Sequence, residues 1–412
     1  MNYYGIIILI ALVGEYLLDL AADLLNLKTL RGDLDDEFTS VYDKQTYSKS
    51  LSYTRDKTNF GIIQSSFDLA ITLLFWLAGG FQYLDLLIRD YQLSNILTGI
   101  LYIGVFILLR SILSLPFQLY STFVIESQYG FNRTTIKTFV LDILKTLLLA
   151  LLLGVPLLFG VLSLFQYAGA FAWLYCWIAV SLFILIVQFI APTWIMPLFN
   201  KFTPLADGEL RTSIMNYTQS LNYPLKDIFV IDGSKRSSKS NAFFTGFGKN
   251  KRIALFDTLI EKHTIPELVA VLAHEIGHYK LKHILQGIII SVIHSGVMFY
   301  LLSFFLNEKG LFDAFYMENI SVYAGLLFFG LLFTPIELLL GIFLQSISRR
   351  NEFAADRFAA ETTNNSQPMI NALKKLSADN LSHIAPHPFY VFLHYSHPPV
   401  LKRIVALRRI SK

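Results

Sequence analysis

The sequence predicts a mainly α-helical, polytopic membrane protein with about seven transmembrane helices and a small α+β domain on one side of the membrane. Of its 412 residues, 54% are hydrophobic and only 16% are charged, whereas about 25% of the residues in an average soluble protein are charged. Seven stretches are long and apolar enough to cross a bilayer as helices. Two polar segments, 201–283 and 346–412, remain to fold outside the lipid.

The predicted spans each contain about 20 or more mostly apolar residues. The first one lacks a basic start and contains Glu15, Asp19 and Asp23, so we expect a retained membrane helix and not a cleaved signal peptide. The single cysteine, Cys176, excludes an intramolecular disulfide. The predicted spans are 5–25, 61–81, 96–117, 139–165, 171–196, 284–306 and 323–345.

Lysine and arginine are unevenly distributed between the predicted loops. If the N-terminus lies outside, the outer loops contain only Arg89 and Lys309. The loop 28–60 alone then places six basic residues inside: Lys28, Arg31, Lys44, Lys49, Arg55 and Lys57. Cytoplasmic loops are enriched in Lys and Arg, so we expect both polar segments on the cytoplasmic side. There they would form one domain that the hairpin of spans six and seven interrupts.

The first polar segment contains signals for strands and for one long helix. Residues 227–231 and 252–256 are rich in β-branched and aromatic side chains, which favours strands. Thr264 precedes a proline and Glu267, which is the pattern of a helix start with a capping residue and an acidic first turn. We expect this helix to continue to about residue 282.

The string H-E-I-G-H at 274–278 lies on that predicted helix. His274 and His278 are four residues apart, so both imidazoles lie on one face and can reach one zinc ion at about 2.0–2.1 Å. Glu275 lies beside them, where it can accept a proton from an attacking water. The pattern therefore predicts a zinc-dependent hydrolase.

A catalytic zinc site needs a third protein ligand and leaves one position open. Spans six and seven form an antiparallel hairpin, so the residues after span seven return to the membrane face where span six began. Glu352 and Asp356 lie there, four residues apart on one helical face. One carboxylate can bind zinc and the other can accept the free ring N–H of a ligand histidine. The alternative is a solvated acidic face paired with Arg349 and Arg350.

Several motifs together resemble the type I CAAX prenyl endopeptidases and their bacterial heat-shock membrane-protease relatives. The resemblance covers nearly the whole chain, and seven spans favour the CAAX-protease branch over the four-span branch. The motifs are S-N-A-F at 240–243, N-K-R-I-A-L-F-D-T-L at 250–259, H-E-I-G-H at 274–278, S-R-R-N-E-F-A-A-D at 348–356 and S-H-P-P at 396–399.

The resemblance implies a role for each matching residue. The zinc ligands are His274, His278 and Glu352, and the base is Glu275, with Asp356 supporting a ligand histidine. His397 matches a histidine that stabilises the tetrahedral oxyanion. The residues implied in substrate binding are Asn241 and Ala242, on an edge strand that pairs with an extended peptide, and the basic residue Arg403.

The resemblance also implies an organisation of the chain. Residues 1–200 form five transmembrane helices with the N-terminal region of CAAX proteases. A gluzincin-like zinc peptidase domain is split between 201–283 and 346–412, and 284–345 is the hairpin of spans six and seven. The seven helices would enclose a water-filled chamber, which Glu15, Asp68, Arg110 and Glu337 would face, with Arg110 paired to Glu15 or Glu337.

The expected reaction is hydrolysis of a peptide bond in a peptide or protein substrate, which can be lipidated, with Zn²⁺ as the cofactor. By resemblance, the enzyme removes the C-terminal tripeptide of a prenylated CAAX sequence. The expected location is a bilayer, with the bacterial inner membrane favoured over the endoplasmic reticulum. The net charge of +4 gives no reason to expect a nucleic-acid partner, and no oligomeric state is predicted.

Two other functions share parts of this pattern. A quality-control protease that cuts misfolded membrane proteins would use the same catalytic residues. A transporter with a metal-gated chamber would need the spans and buried charges, but Glu275 argues against it because metal ligation alone does not require this carboxylate. The remaining histidines are interpreted as interfacial or cavity-lining (His283, His294) or as surface residues (His263, His383, His387, His394).

Overall fold

The computed structural model describes residues 1–245 and 251–410. This part of the chain contains seven helices long and apolar enough to cross a membrane, as predicted. The first half contains α1 Tyr3–Leu27, α2 Lys44–Leu77, α3 Gly80–Arg89, α4 Asn95–Tyr120, α5 Glu126–Gln128, α6 Ile136–Leu149, α7 Val155–Tyr167, α8 Ala172–Ile190 and α9 Met196–Phe199. Single π-helical turns at Ser121–Ile125, Ala150–Gly154 and Ala191–Ile195 join α4 to α5, α6 to α7 and α8 to α9, so that each pair forms one span.

The second half alternates soluble elements with the last two spans, α13 and α15. Its elements are β1 Phe202–Pro204, α10 Glu209–Ser220, β2 Leu225–Ile231, β3 Ala242–Thr245, β4 Lys251–Phe256, α11 Asp257–Lys262, α12 Ile265–Lys280, α13 His283–Phe305, α14 Lys309–Asp313, α15 Val322–Thr362, α16 Gln367–Asp379, α17 Pro388–His394 and α18 Val400–Ile410. Short 3-10 helices lie at Asp36–Phe38, Gly169–Phe171 and Gly233–Lys235.

The four described strands form one sheet in the order β1-β2-β4-β3. β2 pairs parallel to β4, while β1 and β3 run antiparallel to their neighbours. The strands predicted at 227–231 and 252–256 are therefore confirmed as β2 and β4. Their side chains Ile228, Ile253 and Leu255 pack with Leu268, Leu272 and Ile276 of α12. Each such buried side chain stabilises the fold by about 1.5–3 kcal/mol, and together they fix α12 against the sheet.

The predicted start of α12 is confirmed. Thr264 and Glu267 form a capping box, in which the Thr264 backbone N–H donates to the Glu267 carboxylate at 2.8 Å. Glu267 also accepts a hydrogen bond from Lys375 Nζ of α16, at 2.8 Å. The N-terminal end of α12 is thus capped by hydrogen bonds and linked to α16, while the H-E-I-G-H string lies towards the other end of the helix.

The seventh span is much longer than its apolar part. α15 contains 41 residues, and it continues from the predicted span end near 345 through Glu352 to Thr362. Hydropathy marks only the lipid-facing part of a helix, and in this chain no glycine or proline interrupts the helix after that part. Glu352 and Asp356 therefore lie on the same continuous helix as the membrane span.

The contacts between loops show which loops lie at each end of the helix bundle. At the end that bears the sheet, Tyr42 Oη donates to the Ser377 carbonyl at 2.7 Å, and Lys239 pairs with Glu126 at 2.8 Å. At the other end, Trp76 Nε1 donates to the Ala314 carbonyl at 2.8 Å. The loops 28–60 and 129–135 and both polar segments therefore share one end, which is the grouping that the Lys and Arg distribution predicted.

The end away from the sheet is closed by a dense aromatic core. The rings of Phe315 and Phe328 stack at 3.9 Å, and Trp76 stacks on Phe315 at 4.9 Å. Next to this core, the buried Asp85 carboxylate accepts hydrogen bonds from Tyr323 and from Arg89. These residues fill the space between α2, α3 and α15.

Some predictions about single polar residues are wrong. Glu337 pairs with His294 at 3.0 Å, and not with Arg110. His263 lies on the inside, with its side chain wholly buried between Glu267 and Asp379, and both ring nitrogens of His383 are buried. A polar stretch of sequence does not reveal which of its histidines the tertiary fold covers. That the intramembrane charges face a chamber stays a prediction.

Candidate metal centre

The two histidines of the H-E-I-G-H string face each other on α12. Their Nε2 atoms lie 3.1 Å apart, and the planes of the rings are inclined at 80°. Between them, Gly277 packs so closely on α15 that an added Cβ would meet the Ala355 Cα at 3.2 Å. The small residue thus lets α12 and α15 approach at the level of His278.

Glu352 on α15 completes a cluster of three ligand atoms. Its oxygens lie 3.5 Å from His274 Nε2 and 3.3 Å from His278 Nε2. Ligand atoms about 2.0–2.1 Å from a tetrahedral ion lie about 3.3–3.4 Å apart. The Glu352 side chain is buried, with 5% of its surface exposed. The cluster therefore fits a metal ion, with the three ligands predicted from the sequence.

Asp356 supports one of these ligands. Its carboxylate lies 2.9 Å from Nδ1 of His274, the ring nitrogen that faces away from the cluster. A carboxylate in this position fixes the tautomer and the orientation of a metal-bound imidazole. Although burial opposes it, the neighbouring Arg403 and His274 hold the pKa of Asp356 below its ordinary value, so the group is a carboxylate.

Arg403 is buried next to the three candidate ligands. Its Nε and Nη2 donate to the two oxygens of Asp356 at 2.7 and 2.6 Å, and its Nη1 lies 3.2 Å from Glu352 Oε2. Burial would raise the pKa of Glu352, but hydrogen bonds to His274 and His278 and the charge of Arg403 hold it well below its usual range. With its guanidinium occupied in this way, Arg403 orients both carboxylates.

Glu275 lies between the two ligand histidines on α12 and is half-buried. Burial raises the pKa of its carboxyl group, against the opposing charges of His274 and His278. A carboxyl group with a raised pKa is a better proton acceptor than an ordinary one near neutral pH. The position and the chemistry are those expected of a general base.

His397 reaches the cluster from the segment between α17 and α18. Its Nε2 lies 3.3 Å from Glu352 Oε1, and its side chain is 64% exposed, so it borders the open side of the site. The backbone before it is held by Arg349, which donates to the carbonyl oxygens of Val391 and Tyr395 at 3.2 and 2.6 Å. Glu352 and Asp356 are buried, at 3% and 1% exposure, and Arg349 binds backbone carbonyls, so the alternative of a solvated acidic face is wrong.

The strand expected to receive substrate lies at the edge of the sheet. β3 begins at Ala242, pairs on one side with β4, and contacts α12. The exposed Asn241 accepts a hydrogen bond from the Ala242 N–H through its side chain at 2.8 Å. The motif at 250–259 begins at Asn250, which lies outside the described residues, and its remainder forms β4 and the start of α11.

Two features of the site were not recognised in the sequence. His283, the first residue of α13, lies with its Nδ1 3.1 Å from Nδ1 of His278. Lys239 lies just before β3. Its ammonium group contacts residues at the end of the third span, 2.8 Å from Glu126 and 4.4 Å from the centre of the Phe131 ring. The sequence carries no local signal for either feature: residues five apart point in different directions on a continuous helix, and the Lys239 contacts depend on tertiary structure.

Comparisons with known proteins agree with this geometry. Residues 23–201 match the family described as CAAX prenyl protease N-terminal, five membrane helices, and residues 204–411 match peptidase family M48. A probable CAAX prenyl protease 1 of Schizosaccharomyces pombe is 40% identical over 89% of this chain and 80% of its own length. A CAAX prenyl protease 1 homolog of Arabidopsis thaliana is 37% identical over 96% of this chain and 95% of its own length.

A solved structure is similar over the whole fold. The crystal structure of Ste24p from S. mikatae covers 99% of both chains, with a TM-score of 0.91 and 33% sequence identity. The seven spans, the sheet and the helices that carry the three candidate ligands therefore belong to one shared architecture.

Proposed function

Because the chain belongs to peptidase family M48 and carries the N-terminal region of CAAX prenyl proteases, we infer that it releases the C-terminal tripeptide of prenylated CAAX substrates with zinc as its metal. The family makes it a membrane metalloendopeptidase, so the transporter hypothesis is wrong. The identity of the metal, the roles of the single residues and the nature of the substrate are our proposal.

One observation carries the proposal: the ligand atoms of His274 and His278 on α12 lie close to those of Glu352 on α15, although two membrane spans lie between these residues in the sequence. Two imidazoles and one carboxylate are a frequent ligand set of catalytic zinc, which keeps an open position for water or substrate. When bound there, zinc supplies Lewis-acid chemistry, polarising the scissile carbonyl and making the attacking water more acidic.

The protein groups then carry the proton and the charge. Glu275 accepts the proton of the attacking water and returns it to the leaving amine. His397, on the open side of the site, donates a hydrogen bond to the oxyanion that develops on the carbonyl oxygen. Asp356 and Arg403, which contact His274 and Glu352, would hold these two ligands in position.

The substrate backbone would extend β3. An edge strand offers unpaired N–H and C=O groups that bind an extended peptide, and Asn241 and Ala242 lie where such a peptide would approach α12. The prenyl group would lie in the chamber that we expect the seven spans to enclose. The support is the edge position of β3 and the family of the N-terminal half.

We assign the end with the sheet to the cytoplasm, because the loop 28–60 and both polar segments contain most of the Lys and Arg. The peptidase domain would then comprise 201–283 and 346–412, separated by the hairpin 284–345 and preceded by the five-span region 1–200. The sequence favoured a bacterial membrane, whereas the relatives named above come from eukaryotes; a multi-pass membrane location holds in both cases.

The decisive experiment is cleavage of a farnesylated CAAX peptide by the purified protein, with and without a zinc chelator, beside the same peptide without lipid. We expect cleavage after the prenylated cysteine, loss of cleavage with chelator, and restoration by zinc. Glu275→Gln should bind zinc normally and lose at least about 10²–10⁴-fold in rate.

Two results would contradict the proposal in different ways. Normal cleavage by Glu275→Gln would reject the assigned base. Zinc binding with an intact fold but no cleavage of the lipidated peptide would reject the substrate, and unfolded membrane proteins would then be tested as substrates of a quality-control protease.

A further inference from the structure

The two ligand histidines differ in what contacts their second ring nitrogen. Nδ1 of His274 faces the Asp356 carboxylate, whereas Nδ1 of His278 faces Nδ1 of His283 at 3.1 Å. We propose that His283 is a positioning residue that accepts the Nδ1–H hydrogen bond of His278 and so fixes the orientation of this metal ligand. The proposal rests on the metal binding proposed above, and it assigns a role to a residue outside that ligand set.

The tautomers follow from the chemistry of imidazole. A neutral imidazole that presents its Nε2 lone pair to a metal carries its proton on Nδ1. That N–H needs an acceptor, since a buried donor left without one costs about 1–3 kcal/mol. His283 can accept only through an unprotonated Nδ1, so its own proton lies on Nε2. One ligand is thus supported by a charged group and the other by a neutral one.

The backbone between the two helices makes this contact. Residues five apart on a continuous α-helix point in directions about 140° apart, so His278 and His283 would not meet on one helix. α12 ends at Lys280, and Lys282 adopts a left-handed conformation with φ of +62°. This turn brings the first residue of α13 back against the last turn of α12, with ring centres 5.1 Å apart.

A left-handed backbone conformation costs a residue other than glycine about 1–3 kcal/mol, and it persists only where the surrounding structure imposes it. The turn at Lys282 lies immediately before span six, so this turn determines both the direction of the span and the position of His283. The membrane hairpin therefore contributes to the metal site at both ends: α15 supplies the ligand Glu352, and α13 supplies the group that orients the ligand His278.

The test compares variants that keep or remove the acceptor. His283→Asn places an amide oxygen near the position of the imidazole Nδ1, whereas His283→Leu and His283→Ala have no acceptor. Each full-length protein is stripped of metal in detergent and titrated with zinc against a chromophoric chelator. We expect His283→Leu and His283→Ala to bind zinc about 10–100-fold more weakly than the parent, and His283→Asn to stay within about threefold.

The matched control is His294→Leu, which changes another histidine of α13 that pairs with Glu337; its zinc affinity should equal that of the parent. Absorption spectra of the cobalt-substituted proteins should change in His283→Leu and not in His294→Leu. Thermal unfolding of the metal-free proteins shows whether each variant is folded.

Two outcomes would overturn the proposal: parental zinc affinity in folded His283→Leu and His283→Ala, or equal weakening in His283→Asn and His283→Ala, which would indicate a packing role. A parent that binds no zinc would instead reject the metal assignment itself, so the two failures are distinguishable.

Discussion

Arg403 and Asp356 form a buried, two-point ion pair, with hydrogen bonds of 2.7 and 2.6 Å between the guanidinium and the carboxylate. The carboxylate also contacts His274 at 2.9 Å. α18, α15 and α12 are thereby joined in series beside the candidate metal centre, and α18 contributes to a site whose candidate ligands all precede it in sequence.

Arg403→Gln should destabilise the fold strongly. It leaves Asp356 and Glu352 as buried carboxylates without their cation, and breaking a buried ion pair from one side costs about 3–5 kcal/mol. The measurement is the free energy of unfolding in detergent. Arg408→Gln is the matched control, because Arg408 lies on the same helix in a pair with Glu37 but its side chain is 56% exposed, and it should cost less than about 1 kcal/mol. Equal losses in the two variants would contradict the prediction.

Asp356→Asn should weaken both metal binding and the fold, because Asp356 contacts His274 and also pairs with the buried Arg403. The amide has nearly the same shape, but it supports the His274 imidazole without a negative charge, and loss of such a partner lowers metal affinity about 10–100-fold. Zinc titration against a chelator measures the effect. An unchanged affinity in a folded protein would show that the His274–Asp356 contact does not tune the ligand.

His397→Ala should lower kcat by about 10²–10³-fold while zinc affinity and KM change little. The histidine is an exposed donor beside the cluster, and a donor to the oxyanion acts mainly in the transition state. Steady-state kinetics with the peptide substrate, together with the zinc content of the variant, test this. A loss that appears only in KM would instead assign His397 to substrate binding.

Lys239→Met should raise KM severalfold and leave kcat nearly unchanged. Lys239 holds the segment before β3 against the membrane helices through Glu126 and through the Tyr53 hydroxyl at 2.7 Å, so its loss should loosen the strand proposed to bind the peptide. The control is Lys201→Met, at an exposed position before β1. A fall in kcat alone would refute the proposed link to the substrate strand.

Stability should fall in mild acid because of His383. Burial lowers its pKa to about 4, below the value of about 6.5 for an unfolded histidine. The unfolded chain therefore binds a proton that the folded one does not between pH 6.5 and 4. Stability is complete above this window and decreases through it by at most about 3 kcal/mol.

Unfolding free energies at pH 7.5, 6 and 5 check this expectation. His383→Gln should have a smaller slope than the parent, and the slope that remains is expected from His263, whose pKa burial also lowers. Identical slopes in parent and variant would exclude His383 as the titrating group.

The parts of this structure that were predictable are those that local sequence specifies. Apolar length marks the spans, a capping residue marks the start of α12 at Thr264, and four-residue spacing marks the shared face of His274 and His278. Because spans six and seven form an antiparallel hairpin, the candidates for the third ligand were Glu352 and Asp356. The resemblance to the CAAX proteases then favoured Glu352.

The features that the sequence did not reveal depend on tertiary contacts. The left-handed turn at Lys282 has no glycine to signal it, so the contact of His283 with His278 was not expected. His263 and His383 lie in polar stretches but are covered by the fold, and the burial of Arg403 reflects packing of α18 against α15. Hydropathy is high only in the lipid-facing part of α15, so the full length of that helix was not predictable from hydropathy.

The split of the metal ligands across the hairpin has a consequence for biosynthesis. The ribosome produces His274 and His278 before spans six and seven, and Glu352 only after both, so a nascent chain that ends within the hairpin lacks the third ligand. Arg403, near the C-terminus, is translated later still. Under the proposed ligand assignment, the site is complete only after α15 and α18 have been synthesised, and a translation product truncated within the hairpin would be inactive as a protease.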